Sequence, residues 1–185
     1  LGRLVQEQAD DREWLARVEE QYPLATSVLW RAPRATCDQR RAVIGAMRAP
    51  TVALVKGGWR SGKSEGLKQL TVAAALGGDH PAVRAWIAVN GLPEDAIPDG
   101  PAQVYAFAQS SNDSIRYHRD DFARLVGPFG SWYNRNGKGE ALLVVQIPGS
   151  KAVGKIWFKS MDQGRKAMQG ISIRRAFIDE EPLGA

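Results

Sequence analysis

The feature that most constrains this chain is an apolar run that breaks into a glycine-rich turn and continues as a helix-compatible segment. Residues 52–55 read Val-Ala-Leu-Val, and residues 57–64 read Gly-Gly-Trp-Arg-Ser-Gly-Lys-Ser. The spacing fits G-x-x-x-x-G-K-[ST], and the motif stands between a predicted strand and a predicted helix, which is the context that it requires. We therefore expect a tight turn that leads from the end of a buried strand into a helix.

The residue types in this turn suit an anion. Gly57, Gly58 and Gly62 allow backbone N–H groups to turn inward where a Cβ would clash. The helix that follows would present unpaired N–H groups and the positive end of its dipole to the same anion. Lys63 would reach the β- and γ-phosphates of a nucleoside triphosphate, and Ser64 would place its hydroxyl on Mg²⁺. We predict a phosphate-binding loop, against the alternative of a chance glycine turn before a helix.

Composition and charge are compatible with a soluble globular protein. The 185 residues are 44% hydrophobic, which is enough for one domain with a sizeable core. There are 25 Lys and Arg against 20 Asp and Glu, so a polyanionic partner and a solvated basic surface both fit. Cys37 is the single cysteine, which excludes an intrachain disulfide and a cysteine metal cluster. Because no signal-peptide core or membrane-length apolar run is evident, we predict a cytoplasmic protein without a membrane partner.

Periodicity and turn residues predict alternating helices and strands. We predict helices over 38–47, 65–76, 110–126 and 162–168, and strands over 52–55, 103–108, 141–147, 155–159 and 175–178. The turn at 148–150 predicts a hairpin between the strands that flank it. Alternation of this kind predicts an α/β fold with a mostly parallel sheet. We divide the chain into an N-terminal helical segment, 1–50, and a core domain, 51–185.

The segment 79–100 interrupts this alternation. It contains Pro81, Pro93 and Pro98, and its pattern supports only a short helix at 82–89. We predict that it is a surface excursion.

The second chemical signal is the strand 175–178, which runs directly into Asp179 and Glu180. A carboxylate at the carboxyl end of a core strand faces the crevice where α/β folds bind ligands. Asp179 is expected to hold the Mg²⁺ shell opposite Ser64, and Glu180 is suited to deprotonate the water that attacks the γ-phosphate. An apolar run that ends in acidic residues often marks only a strand that leaves for solvent, but the upstream phosphate-binding loop favours an ATP-hydrolysing site.

Gln39 is a candidate for recognition of the base. Its side-chain amide carries both a donor and an acceptor, which is the pair that an adenine edge requires. An ordinary surface glutamine accounts for the residue equally well.

Four blocks of sequence together carry a resemblance to a known family. They are residues 57–64, 105–110, 156–170 and 177–182, and the last two, read as Ile-Trp-Phe-Lys-Ser-Met-Asp-Gln-Gly-Arg-Lys-Ala-Met-Gln-Gly and Phe-Ile-Asp-Glu-Glu-Pro, are the most specific. In this order they resemble the N-terminal ATPase domain of the large subunit of tailed-phage terminases. The likeness covers most of the chain from about Trp30 onward.

The resemblance implies a P-loop NTPase fold of the additional-strand, catalytic-glutamate type, with helices on both faces of the sheet. It implies an ATP-driven motor, loaded with ATP and Mg²⁺, that packages double-stranded DNA into a procapsid. The implied partners are the portal, the small terminase subunit and further copies of the chain in a ring, and the implied place is the host cytoplasm and, transiently, the procapsid portal.

The resemblance also implies roles for individual residues. Lys63 and Ser64 would bind the phosphates and Mg²⁺, Asp179 would belong to the metal shell, Glu180 would be the catalytic base, and Gln39 would sense adenine. The phosphate-binding set would be completed by the loop residues Gly57, Gly58, Trp59, Arg60, Ser61 and Gly62.

The sequence departs from the family pattern in two places. Family members commonly carry an arginine near the third loop position as a sensor of the γ-phosphate, whereas here Trp59 stands there and Arg60 follows it. Arg60 is therefore the candidate catalytic arginine, displaced by one residue, while Trp59 would either stack on the nucleotide or pack against a neighbouring loop. The sequence also stops three residues after Pro182, before the next strand and the nuclease domain that the family implies, so we expect a C-terminally truncated fragment.

Two other functions fit part of the pattern. A superfamily-2-like helicase or another DNA-dependent ATPase would share Asp179 and Glu180, but would usually read Asp-Glu-x-[HD] where this chain has Asp-Glu-Glu-Pro. An inactive prophage remnant would bind nucleotide without turnover.

Overall fold

A mixed five-stranded sheet with helices packed against it is the centre of this protein in the computed structural model. The structure describes residues 37–48, 63–108, 121–123, 125–126, 129–135, 140–146, 151, 153–160 and 175–178. The helices are α1 (Cys37–Arg48), α2 (Lys63–Leu76) and α3 (Pro81–Val89), and residues 121–123 and 125–126 are also helical. The strands are β1 (Gln103–Ala108), β2 (Gly130–Arg135), β3 (Glu140–Gln146), β4 (Val153–Ser160) and β5 (Arg175–Ile178).

The strands lie in the order β2-β3-β4-β1-β5. Strand β1 is parallel to both β4 and β5, while β3 is antiparallel to both β2 and β4. The predicted hairpin between β3 and β4 is therefore confirmed. The prediction of a mostly parallel sheet is wrong for the described strands, because short connections join strands only in the antiparallel sense, and two of the four strand pairings are of this kind.

One face of the sheet packs against α2. A Cβ placed on Gly154 would meet the main-chain carbon of Ala75 at 3.3 Å, so the even-numbered positions of β4 point toward this helix. Ile156 and Phe158 occupy that face and are buried. Phe158 also contacts the ring of Phe122 edge to face at 5.1 Å, which brings the helical residues near 122 to the same face. The α/β layering is thus confirmed on this face, and the predicted helices on the other face remain a prediction.

Helix α2 runs antiparallel to the strands that it covers. The backbone N–H of Ala102, just before β1, donates to the carbonyl oxygen of Ala75 at 3.0 Å. The carboxyl end of α2 therefore lies at the start of β1 and, through Gly154, at the start of β4. The 14 residues of α2 span about 21 Å, which is close to the length of β1 and β4, about 20 and 26 Å. The amino end of α2 consequently lies toward the ends of β1 and β4.

The ends of α2 follow local signals in the sequence. Gly77 adopts a φ of 93°, a left-handed conformation that favours glycine, and its N–H donates to the carbonyl oxygen of Ala73 at 3.0 Å. The predicted stop at the Gly77–Gly78 pair is confirmed. The predictions of helices around 38–47 and 65–76 and of strands at 103–108 and 175–178 are also confirmed.

The prediction that 79–100 is a surface excursion is wrong. The predicted short helix is present as α3, but it packs into the core instead of lying on the surface. Pro81 begins α3 in its first turn, where the missing N–H costs nothing, and Pro93 and Pro98 lie after the helix, so the prolines do not prevent the apolar residues between them from joining the core. The buried apolar residues of this segment are Ala82, Val83, Ala85, Trp86, Ile87, Leu92, Ala96 and Ile97.

Strand β2 is an element that the sequence pattern did not predict. It pairs with β3 from Gly130 opposite Val145 to Arg135 opposite Glu140, and it forms one edge of the described sheet. Its exposed positions include Tyr133, which is 56% exposed. Among the side chains of β2 that the structure describes, Trp132 is the one that packs against the core, so the apolar signal of this strand is weak.

Candidate functional site

The candidate site lies at the carboxyl edge of the parallel strands. Because β1, β4 and β5 run in one direction, their last residues, Ala108, Ser160 and Ile178, lie at the same edge of the sheet. Helix α2 begins near this edge with Lys63 and Ser64, since its other end lies at the start of β1. Open α/β sheets bind ligands at this edge, beyond the carboxyl ends of the strands.

The structure describes only some of the predicted site residues. Lys63 is the first residue of α2, and its side chain lies outside the described part. Ser64 is the second residue of α2 and is half-buried. Gln39 belongs to α1, where only its backbone is described. The remaining predicted residues, Gly57, Gly58, Trp59, Arg60, Ser61, Gly62, Asp179 and Glu180, lie outside the described residues, so their roles stay predictions.

The backbone shows which elements the two predicted groups of site residues are attached to. The motif 57–64 ends in the first turn of α2, and the backbone N–H groups of such a turn are the anion-binding part of the motif. Strand β5 ends at Ile178, and Asp179 is the next residue of the chain. The two chemical signals of the sequence are thus attached to elements whose relevant ends lie at one edge of the sheet.

A buried polar chain holds α2 against α3. Gln69 is 2% exposed, and its Oε1 accepts a hydrogen bond from the indole Nε1–H of Trp86 at 3.0 Å. Its Nε2 donates to Oε1 of Glu65, one turn closer to the amino end of α2, at 3.3 Å. Because both groups of the Gln69 amide are engaged, the first turns of α2 are held in a defined orientation relative to α3.

The flank of α2 is held by an ion pair. The Nζ of Lys68 donates to Oδ2 of Asp121, which begins the described helical residues after β1. The lysine side chain is mostly buried and the aspartate side chain is partly exposed. This pair joins α2 to the segment that packs on Phe158, so it supports the amino half of α2 from the side.

Sequence reasoning missed two polar residues at the end of β4. Lys159 and Ser160 are both buried, and they point to opposite faces of the sheet because strand side chains alternate. Ser160 lies on the face that carries α2, and its Oγ has no hydrogen-bond partner within the described part of the chain. The sequence signal was available, since an apolar strand that ends in Lys-Ser brings both residues to the carboxyl edge.

A further buried polar group lies at the opposite end of α2. His80 caps the amino end of α3, because its ring Nδ1 accepts a hydrogen bond from the backbone N–H of Ala82 at 3.1 Å. The backbone N–H of His80 donates to the carbonyl oxygen of Gly77 at 3.2 Å. Burial lowers the pKa of His80, and the charge of Asp79 opposes this shift in part. Because His80 lies beyond the carboxyl end of α2, it is remote from the carboxyl edge of the sheet. Its role is to cap α3 next to that end of α2.

The described residues contain neither a metal-binding cluster nor a membrane-spanning helix. Within the ranges given above, no group of three or more His, Cys, Asp or Glu side chains is placed to hold a metal ion. Within the same ranges, no helix has the length and apolarity needed to cross a membrane.

Comparison of the chain with protein-family models, with curated proteins and with solved structures finds no match.

Proposed function

We propose that this chain is an ATP-binding and ATP-hydrolysing P-loop domain, and that it serves as the motor ATPase of a DNA-packaging terminase large subunit. The observation that supports it is the direction of α2. A helix that begins at Lys63, at the end of G-x-x-x-x-G-K-S, has its amino end at the same sheet edge as the carboxyl end of β5, which Asp179 and Glu180 follow.

In this proposal the chain supplies charge stabilisation and a base. The backbone N–H groups of the loop and Lys63 would hold the phosphates, and the Ser64 hydroxyl would contact Mg²⁺, which neutralises charge on the phosphates. Asp179 would orient water in the Mg²⁺ shell. Glu180 would take a proton from the water that attacks the γ-phosphate, while Arg60 would contact the transferred phosphoryl group. Gln39 would contact the adenine.

The motor assignment is carried by the sequence blocks 156–170 and 177–182, which are not general features of phosphate-loop proteins. Double-stranded DNA is the proposed polymer substrate, the portal and the small subunit are the proposed partners, and a ring of copies is the proposed working assembly. The modest excess of Lys and Arg, 25 against 20 acidic residues, is compatible with a polyanion.

Calorimetric titration of the chain with Mg²⁺-ATP tests the nucleotide site. We expect saturable binding that Lys63→Ala abolishes. Glu180→Gln should keep the binding and reduce turnover by roughly 10²- to 10⁴-fold, the usual contribution of a general base. Lys155→Ala is the matched control, because Lys155 is an exposed lysine of β4 on the sheet face opposite α2. A folded chain that does not bind Mg²⁺-ATP, or that binds it equally well after Lys63→Ala, contradicts the proposal.

A steady-state ATPase assay with added nucleic acid tests the motor assignment. Double-stranded DNA is expected to raise turnover more than single-stranded DNA of equal length. Stronger stimulation by single strands, together with strand separation, would favour a helicase. Binding without turnover in any condition would favour a nucleotide-binding remnant.

A further inference from the structure

Ser160 is a buried hydroxyl without a described hydrogen-bond partner. The side chain is 5% exposed, and its Oγ finds no partner among the described residues. Buried hydroxyl groups in folded proteins are nearly always hydrogen-bonded, and one that is not calls for an explanation such as a ligand. Because Ser160 is the last residue of β4, a ligand of its hydroxyl would lie at the carboxyl edge of the sheet.

The direction of the Ser160 side chain follows from the alternation along β4. The virtual Cβ of Gly154 points at Ala75 of α2, and Ser160 stands six residues further along the same strand, so it points to the same face. Helix α2 covers this face and runs antiparallel to β4. Six residues of strand advance about 20 Å, and the eleven residues from Ala75 back to Ser64 advance about 17 Å. Ser160 is therefore aimed at the first turn of α2.

The neighbourhood of Ser160 supports an anion over a cation. In the register of the sheet Ser160 lies beside Ala108, a residue that brings no competing polar side chain. The first turn of α2 offers backbone N–H donors and the positive end of a helix dipole, and a serine hydroxyl adds one more donor. The Glu65 carboxylate of the same turn accepts a hydrogen bond from Gln69, further along the helix. Helix α2 has 14 residues, so its dipole is developed.

We propose that Ser160 is a further ligand-binding residue, whose hydroxyl donates a hydrogen bond to an oxygen of a phosphate bound at the amino end of α2. This inference rests on the proposed nucleotide site and adds to it a residue from a strand that is separated from β5 by β1. The bound phosphate would thus be held from two sides, by the helix and by the end of β4. The hydroxyl is unsatisfied when no ligand is bound and satisfied when one is.

Ser160→Ala tests this inference because ligand binding and stability should move in different directions. We expect the affinity for Mg²⁺-ATP to fall roughly tenfold, the cost of one hydrogen bond to a charged group, while the urea midpoint of the free chain stays equal or rises, since an unsatisfied buried group is removed. Ser160→Cys, which keeps the side-chain size and replaces the hydroxyl with a weak donor, should weaken binding in the same way. Ser131→Ala is the matched control, since Ser131 is an exposed serine of β2.

The outcomes separate this inference from the proposed function. If the wild-type chain binds Mg²⁺-ATP, Lys63→Ala abolishes binding and both Ser160 variants bind like the wild type, the role of Ser160 is wrong and the nucleotide site stands. A urea midpoint that falls together with the affinity would make Ser160 a structural residue and would also overturn its role. A wild-type chain that binds neither Mg²⁺-ATP nor inorganic pyrophosphate contradicts both proposals.

Discussion

Gln69 shows at the scale of one residue how a polar side chain can hold a helix in place inside an apolar core. Its neighbours in α2, Leu70, Val72 and Ala73, are buried apolar residues, yet Gln69 is equally buried. It remains there because Trp86 Nε1–H and Glu65 Oε1 satisfy both groups of its amide. A buried amide whose groups are all hydrogen-bonded costs little free energy. When one partner is removed, the buried group that it was bonded to keeps its full desolvation penalty.

We expect Gln69→Leu to lower the free energy of unfolding by about 1 to 3 kcal/mol, because the indole N–H of Trp86 would remain buried without an acceptor. Urea unfolding measures the change. Adding Trp86→Phe to Gln69→Leu should cost less than the sum of the two single changes, since the unsatisfied donor is then absent. Strictly additive costs would show that the hydrogen bond contributes nothing. Gln146→Leu, at an exposed glutamine of β3, is the control.

His80 makes stability depend on pH. Burial lowers its pKa in the folded chain below the ordinary value of about 6.5. The unfolded chain therefore takes up the proton at higher pH than the folded chain does. The stabilisation from neutral His80 is fully present above about pH 6.5 and is lost as the pH falls from there toward the lowered pKa of the folded state.

We expect His80→Asn to remove this dependence, because asparagine can cap α3 through its side-chain oxygen without titrating. Urea midpoints of both chains between pH 7.5 and 5.5 provide the measurement. The difference between wild type and variant isolates His80, since His118 is present in both. Parallel curves for the two chains over this range would contradict the assignment.

At the scale of the elements, close backbone approach determines how α2 is connected to β1. A Cβ on Gly77 would lie 2.4 Å from the carbonyl oxygen of Gly100, and one on Gly78 would lie 2.1 Å from the carbonyl oxygen of Ile97. The Gly78 N–H also donates to the carbonyl oxygen of Pro98 at 2.8 Å. The loop before β1 therefore lies directly against the end of α2, and this contact helps to set the direction of the helix across the sheet.

Gly77→Ala should lower the free energy of unfolding by at least about 1 to 2 kcal/mol, the strain of a side chain at φ 93°. The clash of its Cβ with the backbone of Gly100 should add to this cost. Gly45→Ala is the matched control. Gly45 lies inside α1 with nothing within 4 Å of its virtual Cβ, so the same change should stabilise the chain by about 0.5 to 1 kcal/mol. Thermal unfolding of both variants gives the comparison, and equal midpoints would contradict it.

At the scale of the whole molecule, the sheet and α2 bring separate parts of the chain to one edge. Ser64, Ser160 and Ile178 are far apart in the sequence, and the parallel arrangement of β1, β4 and β5 with an antiparallel α2 brings their elements together there. A ligand at this edge would contact several elements at once. Its binding would therefore oppose unfolding of the chain as a unit.

We expect Mg²⁺-ATP at 100 times its dissociation constant to raise the free energy of unfolding by about 2.7 kcal/mol, the value for one site on the folded chain. Urea unfolding at several ATP concentrations tests this, with Lys63→Ala as the variant that should show no increase. Equal increases for the wild type and Lys63→Ala would place the binding elsewhere.

Local chemistry in the sequence accounts for most of the helices and strands that the structure describes. Helix α2 ends at Leu76 because Gly77 adopts a left-handed conformation. The apolar run that follows Gly100 and Pro101 forms β1 at Gln103–Ala108, as predicted. The phosphate-loop motif and the acidic pair after β5 are likewise visible in the sequence alone. Their proposed roles came from the chemistry of nearby residues, and those roles remain predictions.

The tertiary structure alone decided which surfaces are buried and which ends of elements meet. The segment 79–100 has the prolines of a surface loop, but the apolar side chains of α3 belong to the hydrophobic core. The short strand β2 is set by its pairing with β3 more than by its own pattern. Ser160 became a candidate ligand-binding residue only when the register of β4 and the direction of α2 were known. Burial and strand pairing are properties of contacts between distant residues, and a local pattern in the sequence does not contain them.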